Sequence, residues 1–164
     1  MTEDEVKADS RVKTGIQGLD VLLEGGFLPG SVVLLRGESG TGKTILGLQF
    51  VSFGALQREP GIFVTLTETA SDIKRQAACF GWDLDDLESQ HMLEIVEIKP
   101  WLGGFNHTTA IEKVIEIAKE MNAKRVVIDS IPALLYRNHA KTTPDEMARA
   151  LCLLSWKLGQ ELHA

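Results

Sequence analysis

Residues 36–44 read RGESGTGKT and follow directly on the apolar run SVVLL. Gly37, Gly42, Lys43 and Thr44 match the spacing G-x-x-x-x-G-K-[ST], which makes chemical sense between a strand and a helix. Glycines let the backbone curl so that successive N–H groups face an anion, and a new helix adds its positive end. The residues expected to line a phosphate chain are Gly37, Glu38, Ser39, Gly40, Thr41, Gly42, Lys43 and Thr44. Lys43 would reach the outer phosphates and the Thr44 hydroxyl would ligate Mg²⁺.

Two acids complete the candidate chemistry. Asp129 ends the run RVVID, and a carboxylate at the C-terminal end of a buried strand lies where open α/β sheets bind ligands. Beside a phosphate loop it reads as a Mg²⁺ group; alone it would read as a cap on the following turn. Glu68, in TLTET, falls just past the end of another expected strand. Its position suits a group that orients or deprotonates an attacking water. It suits equally a solvated acid at a helix start, where the dipole favours negative charge. Lys43 and Glu68 are thus the candidate catalytic groups, Thr44 and Asp129 the candidate metal groups.

The elements that must hold these residues alternate. SVVLLRG at 31–37 is continuously apolar and β-branched, as a buried strand would be, and residues 42–58 have helical length and composition. GIFVTL repeats the strand type. A helix follows, with Thr69 and Asp72 spaced as a capping box and Gly81 as its stop. MLEIVEI alternates, which suits an edge strand, and WLGGFN is a loop. Over residues 108–122, Ile111, Val114, Ile115, Ala118 and Met121 form one apolar helical face. RVVID is a fourth strand. TTPDEMARALCLLSWKLGQ is a helix with Thr143 as N-cap, Pro144 at the first position and Glu146 at the third. Ahead of all this, GIQGLDVLLEGG gives a short helix ended by Gly25 and Gly26. The pattern implies a three-layer α/β sandwich on a mostly parallel sheet, as one domain at 14–164 behind a flexible leader at 1–13.

Composition narrows the function classes. A net charge of −6 with scattered Lys and Arg argues against a nucleic-acid surface. No apolar run approaches the ~20 residues that cross a bilayer. The acidic N-terminus MTEDEVKADS is unlike a secretory signal, so the expected location is the cytoplasm. Cys79 and Cys152 read as small buried residues in a reducing compartment. His91, His107, His139 and His163 lack metal-ligand spacing. Trp82 and Trp156 read as core, Trp101 and Phe105 as loop aromatics tucked onto the domain edge, and the DLDDLESQ acids as a solvated face.

Taken together, these residues resemble the KaiC-like branch of the RecA superfamily of P-loop ATPases. The resemblance runs from about residue 11 to 160. It is carried by TGIQGLDVLLEGGFLPGSVVLLRGESGTGKTILGLQF, by GIFVTLTETASDIKRQAACFGWDL and by RVVIDSIPALL. It implies an ATP-binding core, often hexameric, with ATP between neighbouring subunits and Mg²⁺ as cofactor. The chain departs from the family in two ways. Family members commonly carry paired glutamates after the second strand, the first of them catalytic, where this chain has Thr67–Glu68. Threonine is no general base near neutral pH, so water activation would fall to Glu68, one position displaced along an extended chain. The family also places a further strand between the phosphate-loop strand and the Asp129 strand, after the helix at 145–160. This sequence stops before it, so the core is expected to be truncated, to pair those two strands directly, or to borrow a strand from a partner. The resemblance leaves two functions open: an ATPase with weak or partner-dependent hydrolysis, and a nucleotide-sensing interaction module that binds ATP without significant hydrolysis.

Overall fold

The computed structural model describes residues 11–99 and 107–130. The expected helix at 143–160 lies outside them, as do Cys152, His139, His163, Trp101, Phe105 and Trp156. The elements are α1 (Gln17–Leu22), α2 (Lys43–Leu56), β1 (Gly61–Thr65), α3 (Ala70–Ala78), α4 (Leu84–Ser89), β2 (Leu93–Glu97), α5 (His107–Glu120) and β3 (Arg125–Asp129).

The three strands form an all-parallel sheet in the order β2-β1-β3, and the alternating strand 93–97 does take an edge. β1 is buried along its whole length, which requires cover on both faces. Its side chains divide accordingly. Phe63 joins Leu48, Val51, Ile73, Leu84 and Leu93 beneath α2, α3 and α4, while Ile62 and Val64 join Val114 and Ala118 of α5 on the opposite face. Helices on both sides of a parallel sheet make the three-layer α/β sandwich, and the predicted apolar face of residues 108–122 is the one that α5 buries.

Local signals explain most boundaries. The Thr69 hydroxyl accepts the Asp72 N–H at 3.1 Å and donates to the Asp72 carboxylate at 2.7 Å, so the predicted capping pair starts α3. Asp83 accepts the Asp86 N–H at 3.0 Å and starts α4, a short helix hidden among the DLDDLESQ acids. Asp83, Asp85 and Asp86 face water as expected, but Glu88 is half-buried and accepts the Ile95 N–H at 3.2 Å, and Leu84 and Leu87 at helical spacing turn inward.

The segment preceding the glycine loop at 37–44 departs from its expected form. Residues 31–37 are not a buried strand: Val32, Val33, Leu34 and Leu35 are 45–62% exposed. A strand needs a ladder partner, and among the described residues neither this segment nor the outer edge of β3 has one. Direct pairing of the two is therefore not what the described chain does. β3 accordingly stays half-buried from Val126 to Asp129. Cys79 is a second correction. It is the exposed C-cap of α3, outside any disulfide, its thiol donating to the Arg75 carbonyl at 3.4 Å.

Candidate phosphate-loop site

The loop joins residue 37 to α2 through two left-handed glycines, Gly40 (φ 80°) and Gly42 (φ 85°). A Cβ at Gly42 would meet nothing within 4 Å, so backbone conformation rather than space is what requires glycine there. Thr41 stabilises the curl by donating its N–H and hydroxyl to the Glu38 carbonyl at 3.4 and 2.8 Å. Lys43 folds back over the loop, its ammonium reaching the carbonyls of Gly37 at 2.9 Å and Glu38 at 2.6 Å. The cation thus sits on the loop's own acceptors, on an exposed surface, at the start of a fourteen-residue helix.

Thr44 and Asp129, 85 residues apart in sequence, come together: the Thr44 hydroxyl donates to Asp129 Oδ2 at 2.6 Å. α2 brings Thr44 there by packing across β1 and β3, where Gly47 lies against Val127 and Phe63. The pair offers only oxygen donors, a hydroxyl and a carboxylate, the chemistry preferred by a hard divalent cation that keeps most of its water. Among the described residues no cluster of three or more His, Cys, Asp or Glu forms a denser metal site.

Glu68 sits on the neighbouring strand end. Thr65 pairs in register with Asp129 on one side and Glu97 on the other. The buried Thr65 hydroxyl donates to the Glu68 carbonyl at 2.9 Å and accepts the Glu68 N–H at 3.2 Å, closing a tight turn after β1. Thr67 points into water and Glu68 is half-buried. The Glu68 carboxylate accepts from the Gln76 amide of α3; among the described residues it makes no hydrogen bond to the phosphate loop. Glu97, at the same level, accepts the Ala70 N–H at 3.1 Å and pairs with Lys99 at 2.6 Å. The Lys99 ammonium foremost, then the Ala70 N–H, hold its carboxyl below the usual carboxylate range.

Several supporting residues carry no readable sequence signal. Asp20 accepts from the Thr14 N–H and hydroxyl, both at 2.7 Å, which shapes the lead-in turn. Gln49 of α2 donates to the Gly15 carbonyl at 2.8 Å and docks that turn on the phosphate-loop helix. Arg125 is buried beneath it. Its guanidinium donates to Glu59 at 2.8 and 2.6 Å, to Lys13 O at 2.7 Å and to Phe50 O at 2.9 Å, and it lies 4.5 Å from the Phe50 ring centroid. Gly54 makes room: a Cβ there would come within 2.3 Å of Arg125 Nε.

A glycine loop leading into a helix, laid over a parallel sheet with a carboxylate at the adjoining strand end, defines a P-loop fold of RecA type. The family model described as "ATPase: KaiC" matches residues 12–160. The chain is 39% identical over 137 residues to the circadian clock oscillator protein KaiC of Parathermosynechococcus lividus, covering 79% of this chain and 25% of that protein. It is 37% identical over 158 residues to the UPF0273 protein PH0284 of Pyrococcus horikoshii, covering 87% and 61%. A crystal structure of the KaiC-like protein PH0186 from the same archaeon superposes with a TM-score of 0.80 at 40% identity, over 93% of this chain and 66% of that one. The chain belongs to the KaiC family of ATPases. It spans about a quarter of the length of the KaiC proteins it matches.

Proposed function

We propose that this chain is a Mg-ATP-binding module whose hydrolysis is weak or partner-dependent. The observation that carries the reading is the contact of Thr44 with Asp129, which joins the phosphate loop to the carboxylate end of β3. In this reading residues 37–44 hold the phosphate chain with backbone N–H groups. Lys43 leaves the Gly37 and Glu38 carbonyls and turns to the outer phosphates, where charge develops. Thr44 and Asp129 hold Mg²⁺, which when bound neutralises charge on the outer phosphates. Glu68 accepts a proton from the attacking water. The module assembles with copies of itself, hexameric by family resemblance, and works in the cytoplasm without nucleic acid. Among the described residues no helix is long and apolar enough to cross a membrane.

Thr67 favours a second reading, a nucleotide-sensing module in which bound ATP controls assembly and hydrolysis is dispensable. Phosphate release with Mg-ATP separates the two. Loss of a measurable native rate in Glu68→Gln supports the ATPase, and a rise in Thr67→Glu shows an intact but muted site. Turnover unchanged by Glu68→Gln removes Glu68 as the base, and ATP binding without turnover at any protein concentration leaves the sensing module.

A further inference from the structure

The half-buried Glu68 carboxylate lies beside α3, which carries Lys74 and Arg75. Two cations of α3 stand close in sequence, and both are engaged elsewhere: Lys74 with Asp85 and Glu88, Arg75 with Asp72. The partner that does reach Glu68 Oε2 is the neutral side-chain amide of Gln76. Gln76 is half-buried at the border of the face that Ile73 and Ala77 bury, so α3's packing on the core limits where its amide can go. At the other end the Thr65 hydroxyl fixes the Glu68 backbone through both its N–H and its carbonyl. Among the described residues Oε1 has no hydrogen-bond partner.

We propose that Gln76 is a positioning residue for hydrolysis: it fixes the Glu68 carboxylate through one oxygen and leaves the other to accept a proton from water. This rests on the reading of Glu68 as the base. The physical advantage of an amide is that it orients without neutralising. An arginine or lysine in its place would form an ion pair and stabilise the carboxylate against taking up a proton. A carboxylate without a tether would lose rate by sampling other rotamers, since a general base acts only within hydrogen-bond reach of the proton it takes. The one-residue displacement from the family's glutamate is thereby met by a turn at Thr65 and a tether at Gln76.

The test combines contact and kinetics on the native chain with Mg-ATP. In nucleotide-free protein the Gln76 side-chain amide resonances should move in Glu68→Gln; resonances that stay put overturn the contact. Gln76→Leu should lower kcat about tenfold with KM for ATP within about twofold. Gln76→Glu, nearly isosteric and safe for folding, should lower it at least as far because like charges push Glu68 away. Glu68→Gln/Gln76→Leu should be no slower than Glu68→Gln alone. If Glu68→Gln abolishes turnover while Gln76→Leu and Gln76→Glu keep the native kcat, the positioning role falls and the base stands. If Glu68→Gln keeps the native rate, or the native chain shows no turnover at any protein concentration, both fall.

Discussion

Replacing Glu59 by alanine should cost more stability than removing the whole ion pair it belongs to. The Arg125 side chain is 2% exposed, and Glu59 supplies its only anionic partner among the described residues. Glu59→Ala would leave a buried guanidinium charge with two backbone carbonyls and the Phe50 and Phe53 rings. Breaking a buried pair from one side costs about 3–5 kcal/mol. Glu59 itself is 44% exposed, so water reaches one rim of the pair, and the remaining carbonyls and rings still stabilise the cation. These factors put the expected cost at the low end, about 3 kcal/mol. For a chain of this size that is a fall of roughly 6–12 °C in Tm. Glu59→Ala/Arg125→Met removes both charges and fills the space with an apolar side chain. It forfeits chiefly the bonds to Lys13 O and Phe50 O, about 1–2 kcal/mol. Urea and thermal unfolding of native, single and double variants measure the difference. A single variant within about 0.5 kcal/mol of native, or a double variant less stable than the single, would mean that the Arg125 charge does not depend on Glu59.

Three further outcomes rest on a backbone conformation, an ion pair and an exposed side chain. Gly42→Ala places a side chain at φ 85°, so it should cost about 1 kcal/mol and weaken Mg-ATP binding, seen by melting and titration; an unchanged pair of values contradicts the backbone account. Glu97 has its carboxyl depressed by Lys99 first and the Ala70 N–H second, so the stability it contributes is present above the unfolded carboxylate value and lost as pH falls through the folded one. Stability measured from neutral pH down through the carboxylate range should therefore fall less steeply in Glu97→Gln, and an identical acid limb counts against the contact. Leu34, 62% exposed, should accept lysine with a stability change within about 0.5 kcal/mol, and any self-association seen by ultracentrifugation should diminish; a large loss of stability would mean the segment is buried in solution.

The parts of this fold that were legible in sequence are those set by local chemistry. The glycine turn at Gly40 and Gly42, the Thr69 cap, the continuous apolar β1 and the i, i+3, i+4 face of α5 each carry their own physical cause. SVVLL carries half of one. Its β-branched residues suit a strand, but burial needs a neighbour, and the described chain supplies none. Composition hid α4 because the exposed acids outnumber the two leucines that turn inward. Cys79 illustrates the limit of residue averages, since cysteine is usually buried yet this one falls on a helix end facing water. Arg125, Thr65 and Gln76 act through partners 3 to 112 residues away, and no spacing rule marks such partners. At the candidate site, the meeting of Thr44 with Asp129 followed from strand-end logic, whereas no residue spacing marks the Gln76 contact with Glu68.

In the proposed function residues 37–44 grip the phosphates of ATP, with Lys43 as the cation that turns from its own loop to the ligand. Calorimetric titration of Mg-ATP into the native chain and into Lys43→Ala measures that grip. Saturable binding by the native chain, weakened about tenfold or more in Lys43→Ala while the melting temperature without nucleotide stays close to native, is the predicted result. Equal affinity in the two proteins, or no binding by the native chain, would contradict it.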